Sequence, residues 1–130
     1  MAGKTYLLDT NVIIDLFGGE SSIAAKLSGK VVRYVPSVVL GELYFGAYNA
    51  KGRKSHHLKQ IKGFMELCKI LEVDEQTAVY YGEVKTALKK QGTPIPENDI
   101  WIAAMAIQHG LVLLSKDKHF DRIKVKRENY

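Results

Sequence analysis

The sequence predicts an α/β fold built on a mainly parallel sheet. Two observations carry this: short β-rich apolar runs alternate with longer stretches of helical period, and no repeat, low-complexity tract or Pro/Gly/Ser linker interrupts the alternation. The three prolines stand at Pro36, Pro94 and Pro96, so one domain over residues 1–130 is the simplest organisation. A chain of 130 residues can bury a sizeable core without a disulfide or a metal staple.

The elements follow in order. TYLL, Thr5 to Leu8, reads as the first strand, and TNVIIDLF as a helix that turns Val12, Ile13 and Leu16 toward the sheet. VVRYV, Val31 to Val35, is the second strand; Pro36 stops it, Ser37 is the expected N-cap, and the following helix carries Val39, Leu43, Ala47 and Ala50 at helical spacing. HLKQIKGFMELC, from His57, is a third amphipathic helix and KILEV, Lys69 to Val73, a third strand. EQTAVYYGEVKTALKKQG closes at Gly92, IWIAAMAIQHG is a buried helix stopped by Gly110, LVLLS is the fourth strand, and IKVK, Ile123 to Lys126, is a short fifth.

Composition narrows the function. Lys and Arg number 19 against 14 Asp and Glu, a net charge of +5 with a pI near 9.3, which favours polyanionic partners in general. The basic residues gather in Lys51 to Lys62, Lys85 to Lys90 and Lys116 to Arg127. The single cysteine, Cys68, lies among apolar neighbours and reads as a reduced, packed thiol, in keeping with a cytoplasmic protein. Asp9 breaks the N-terminal apolar run before a signal-peptide core forms, and no stretch reaches the ~18 apolar residues of a membrane helix.

Ligands of open parallel sheets bind beyond the carboxyl ends of the strands. Asp9 directly follows the first strand and Asp117 lies just past the fourth. Asp99 opens the helix leading into that fourth strand, and Glu42 sits on the second turn of the helix after the second strand; all four point to one edge. Singly, each has an ordinary explanation: Asp9 and Asp99 as helix caps, Asp117 as a turn residue, Glu42 as a solvated helix residue. Together they repel unless a cation neutralises them. Oxygen donors without cysteine or histidine at zinc spacing suit Mg²⁺ or Mn²⁺. His56 and His57 read as a solvated basic face and His109 as a helix C-terminal residue, none of them assigned to metal.

The ordered set LLDTNVIID, GEL, ENDIWIAAMA and LLSKDKHF resembles the PIN-domain nucleases, and within them the small VapC-type toxins of bacterial and archaeal toxin–antitoxin pairs. The resemblance spans nearly the whole chain. It implies a three-layer α/β/α sandwich with about five strands, a homodimer, and hydrolysis of RNA at a Mg²⁺ or Mn²⁺ centre held by Asp9, Glu42, Asp99 and Asp117. Products with a 5′ phosphate and a 3′ hydroxyl are implied too, as is inhibition by a VapB-type antitoxin protein. The hydroxyl residues that family members carry near the first and fourth acids are matched by Thr10 and Ser115, while Asn11 and Asn98 stand where they can orient ligands or serve local turns. Lys51, Arg53, Lys54, Lys116 and Lys118 are the candidates for RNA phosphates.

Other readings are weaker. A phospho-receiver domain would use Asp74 after KILEV with Lys116, yet it wants an acidic pair after the first strand, where Asp9 is followed by Thr10. A dehalogenase-type phosphatase wants an aspartate at Asn11. A non-catalytic RNA-binding module would show an interleaved aromatic and glycine pattern absent here.

Overall fold

The computed structural model describes residues 3–130. Five strands form one sheet in the order β3-β2-β1-β4-β5, and every neighbouring pair is parallel. The strands are β1 (Lys4–Leu8), β2 (Val31–Pro36), β3 (Lys69–Leu71), β4 (Val112–Leu114) and β5 (Arg127–Glu128). Successive side chains on a strand point to opposite faces, so the burial of Tyr6, Leu7 and Leu8 at 1%, 0% and 0% exposure means that both faces of the central strand are covered. The result is the expected three-layer α/β/α sandwich. Among the described residues no helix is long and apolar enough to cross a membrane.

Among the described residues six α-helices make the crossovers up to β4: α1 (Thr10–Phe17), α2 (Ser21–Lys26), α3 (Ser37–Tyr48), α4 (Lys54–Met65), α5 (Glu75–Gln91) and α6 (Glu97–His109). Val12 and Ile13 of α1 and Val39, Leu43 and Ala47 of α3 are buried at the helical spacing read from sequence. Gly92 and Gly110 close α5 and α6 with φ of 69° and 63°, the left-handed turn that glycine adopts without strain. Burial pushes the Cys68 thiol up to about 11, in keeping with a packed, unreactive side chain.

Several boundaries differ from the sequence expectation. Ser37 is the first helical residue rather than the N-cap, a place taken by Pro36 without any side-chain bond. Proline lacks an N–H and holds φ near its helical value, so the strand passes straight into the helix at this point. Helix α2 has no counterpart in the sequence reading; it is short and rests on one buried residue, Ile23, too little for a periodic signal. Helix α4 starts three residues before His57, and β3 ends at Leu71 rather than Val73. The fifth strand is Arg127–Glu128, not Ile123 to Lys126. Ile123 and Val125 pack against the core from the connecting segment, which explains their apolar alternation. The backbone ladder instead pairs Leu113 with Arg127 and Leu114 with Glu128.

Candidate metal centre

The chain leaves β1 toward β2 and β3 on one side, then crosses back through α5 and α6 to β4 on the other side of β1. The carboxyl ends of β1 and β4 therefore flank the point where the winding direction changes, where doubly wound sheets open a crevice. Leu8 lies beside Leu114 in register, and the next residues are Asp9 and Ser115. Sheet register thus brings together residues more than a hundred positions apart.

Asp9 is nearly inaccessible, at 3% exposure. The Thr10 N–H donates to its Oδ1 at 2.8 Å, and the Ser115 hydroxyl donates to its Oδ2 at 2.7 Å. The same Ser115 oxygen accepts from the Asp117 N–H at 3.0 Å, so one buried hydroxyl ties the acid after β1 to the acid after β4. Asp99 lies in the first turn of α6, the helix that feeds β4. Its neighbour Asn98 donates from Nδ2 to Glu42 Oε1 at 3.2 Å, joining α6 to α3. Asp9, Glu42, Asp99 and Asp117 all line one open cleft, with Thr10, Asn11 and Asn98 around them. The sequence reading placed them at one edge, and there they meet.

The cleft is short of positive charge. Burial, chiefly, and then the negative charge of Asp9 push the Asp99 carboxyl up to about 6; Asp117 and Glu42 add to the rise, and His119 opposes it. Asp9 is also raised, by burial first, against the lowering effect of its bonds from Ser115 and Thr10. Thr10 Oγ1 is buried without a hydrogen-bond partner. Two carboxylates, Asp9 and Asp99, whose ionisation burial opposes, beside an unpartnered hydroxyl oxygen, fit a hard divalent cation. Asp9, Asp99, Asp117 and Glu42 are the residues that would hold it.

The structure adds a residue that the sequence reading passed over. His119 lies in a 3-10 turn over Lys118–Arg122, its Nε2 2.9 Å from Asp99 Oδ2. Donor atoms of Asp99, Asp117 and His119 all fall within 4.8 Å of one another. Its only sequence signal was position, two residues after Asp117 and directly before Phe120, which is fully buried.

The basic candidates stand outside the cleft, whose lining contains no lysine or arginine among the described residues. Lys51, Arg53 and Lys54 are exposed at the connection from α3 to α4. Arg53, with φ of 56°, also borders an apolar groove that shares Glu42 with the acidic cleft. Lys116 lies 3.7 Å from Asp15 and 4.6 Å from the centre of the Tyr130 ring, so it is engaged on the protein, whereas Lys118 is exposed. Asp74, the residue a phospho-receiver would need, caps α5: its Oδ1 accepts from the Thr77 N–H at 2.9 Å and from Gln108 Nε2 at 2.9 Å.

Comparison with known proteins gives a consistent account. Residues 6–126 match the PIN domain. A ribonuclease VapC1 of Haemophilus influenzae is 35% identical over 123 residues, covering 91% of each chain. A tRNA(fMet)-specific endonuclease VapC of Salmonella typhimurium is 29% identical, again over 91% of each chain. In the crystal structure of VapBC2 from Rickettsia felis bound to a promoter DNA fragment, a chain 28% identical superposes with a TM-score of 0.89, covering 96% of this chain and 98% of its own. On the extent of that match and on the four acids that meet at the β1/β4 crevice, the chain belongs to the PIN domain family.

Proposed function

We propose that this chain is a single-domain, divalent-metal-dependent endoribonuclease, the toxin of a VapBC-type toxin–antitoxin pair, with Mg²⁺ or Mn²⁺ as its ion. The observation that carries the reading is the cleft in which four carboxylates from distant parts of the chain meet, with Asp99 pushed up to about 6. A divalent ion held there would supply Lewis acidity toward water and toward the scissile phosphate.

The residues divide the remaining work. Asp9, Asp99 and Asp117 would hold the ion, with Glu42 completing the set. Ser115 keeps Asp9 and Asp117 in fixed relation through its two hydrogen bonds, and Asn98 orients Glu42. Thr10 and Asn11 complete the wall beside Asp9. Lys51, Arg53, Lys54 and Lys118 lie outside the cleft lining and, in this reading, engage the phosphates flanking the scissile bond. Lys116 joins them on release from Asp15. Binding through such contacts weakens with salt.

The relatives named as ribonucleases and the neighbours solved as VapBC complexes support RNA as substrate and a VapB-type antitoxin as partner. The apolar groove beside α3 shares Glu42 with the cleft, so a peptide seated there reaches Glu42 at the edge of the acidic set. Homodimerisation and a cytoplasmic site of action complete the proposal. The test is RNA cleavage by an Asp9→Asn variant in Mg²⁺ or Mn²⁺: loss is expected, and full activity removes Asp9 from the mechanism.

A further inference from the structure

We propose that His119 supplies a nitrogen ligand to the metal through Nε2, beside Asp99 and Asp117, making the centre a mixed nitrogen–oxygen site that favours Mn²⁺ over Mg²⁺. The inference rests on the reading of the cleft as a metal centre.

Three observations carry it. Nε2 is buried and makes no hydrogen bond of acceptable geometry, although it lies 2.9 Å from Asp99 Oδ2. Two electronegative atoms held that close with no aligned N–H···O bond between them are well placed to share a cation. The donor atoms of Asp99, Asp117 and His119 lie within 4.8 Å of one another, a spread close to the roughly 4 Å that two metal–ligand bonds of about 2 Å span. The ring is also anchored. It lies 4.7 Å from the ring of Phe120, which is fully buried, and the 3-10 turn that begins at Lys118 holds the two side by side.

The chemical consequence concerns selectivity. Mg²⁺ demands oxygen donors and near-ideal octahedral geometry, whereas transition ions accept imidazole nitrogen. An ordinary ion pair between an imidazolium and Asp99 is the competing account of the contact, and it places no nitrogen on the metal.

Pulsed EPR of Mn²⁺ bound to the whole chain separates the two. The wild type should show ¹⁴N modulation of an imidazole directly bound to Mn²⁺. His119→Gln and His119→Asp should lose it while their thermal melts remain cooperative. Titration calorimetry should show Mn²⁺ affinity falling roughly 10- to 100-fold in His119→Gln, at least the loss caused by removing an outer partner of a ligand. His119→Asp should bind both ions with a lower Mn²⁺ to Mg²⁺ affinity ratio than the wild type. Bound Mn²⁺ without nitrogen modulation, or modulation that persists in both variants, overturns the histidine ligand and leaves the carboxylate centre standing. A wild type that binds no Mn²⁺ overturns both.

Discussion

Asp9 and Asp74 stand at equivalent places in the α/β scheme, each between a parallel strand and the helix that follows, yet their surroundings treat the carboxylate in opposite ways. Asp74 is exposed and surrounded by donors: the Thr77 N–H first, then the Gln108 amide and the Thr77 hydroxyl, hold it below its ordinary range. Asp9 is buried beside three other acids and is pushed up. A carboxylate with a surplus of donors is a structural cap. A group of buried carboxylates with a deficit of positive charge has the electrostatics that suit a cation, the role proposed for it above.

That contrast is sharpest at Asp99, where the largest effect is expected. Asp99→Asn should lower RNA cleavage by about 10²–10³-fold, the loss of several kcal/mol of metal-assisted stabilisation at 1.36 kcal/mol per tenfold. The same change should raise the melting temperature of the metal-free protein, because it removes a buried carboxylate whose ionisation the fold opposes. A variant that is both inactive and less stable would break the comparison.

Ser115→Ala removes the hydroxyl that bridges Asp9 and Asp117, and should reduce cleavage by roughly 10- to 100-fold, with a matching loss in Mn²⁺ affinity. Asp74→Ala should act in the opposite domain of behaviour. It should leave cleavage unchanged and destabilise the fold by about 1 kcal/mol through loss of the N-cap, a fall of about 3–6 °C in Tm. Reduced cleavage in a folded Asp74→Ala protein would mean that the two carboxylates are not separate in function.

The pH dependence should also divide. In the metal-free protein the folded Asp99 pKa is raised from 3.8 to about 6, so its contribution to stability is complete below the unfolded value and is lost as pH rises through 6. Asp74 is lowered, so its contribution is present above its ordinary range and is lost as pH falls through the folded value. Urea midpoints measured in EDTA should therefore fall between pH 4 and 6.5 in the wild type, and Asp99→Asn should flatten that fall. Asp74→Asn should leave it in place.

Much of this was legible in the sequence because the fold and the site share one cause. Strand ends, helix starts and the alternation of periods alone bring Asp9, Glu42, Asp99 and Asp117 to one edge. What stayed hidden depends on sheet register and on short elements. The double bond of Ser115 to Asp9 and Asp117 arises from the pairing of Leu8 with Leu114. His119 enters through a 3-10 turn too short to leave a periodic pattern. Lys116 looked like a free phosphate ligand, and only the return of the C-terminal Tyr130 beside Asp15 shows it engaged. Ile123 and Val125 imitated a strand because core contact produces the same alternation as a ladder.

On the proposed function, the acids gathered at the β1/β4 crevice hold a metal ion that drives RNA hydrolysis. The most direct measurement is cleavage of RNA by the purified chain in Mn²⁺, then with EDTA in excess of the metal, then after Mn²⁺ is restored above the chelator. Cleavage that stops with EDTA and returns with the ion is the predicted result; cleavage that continues undiminished in EDTA would contradict it.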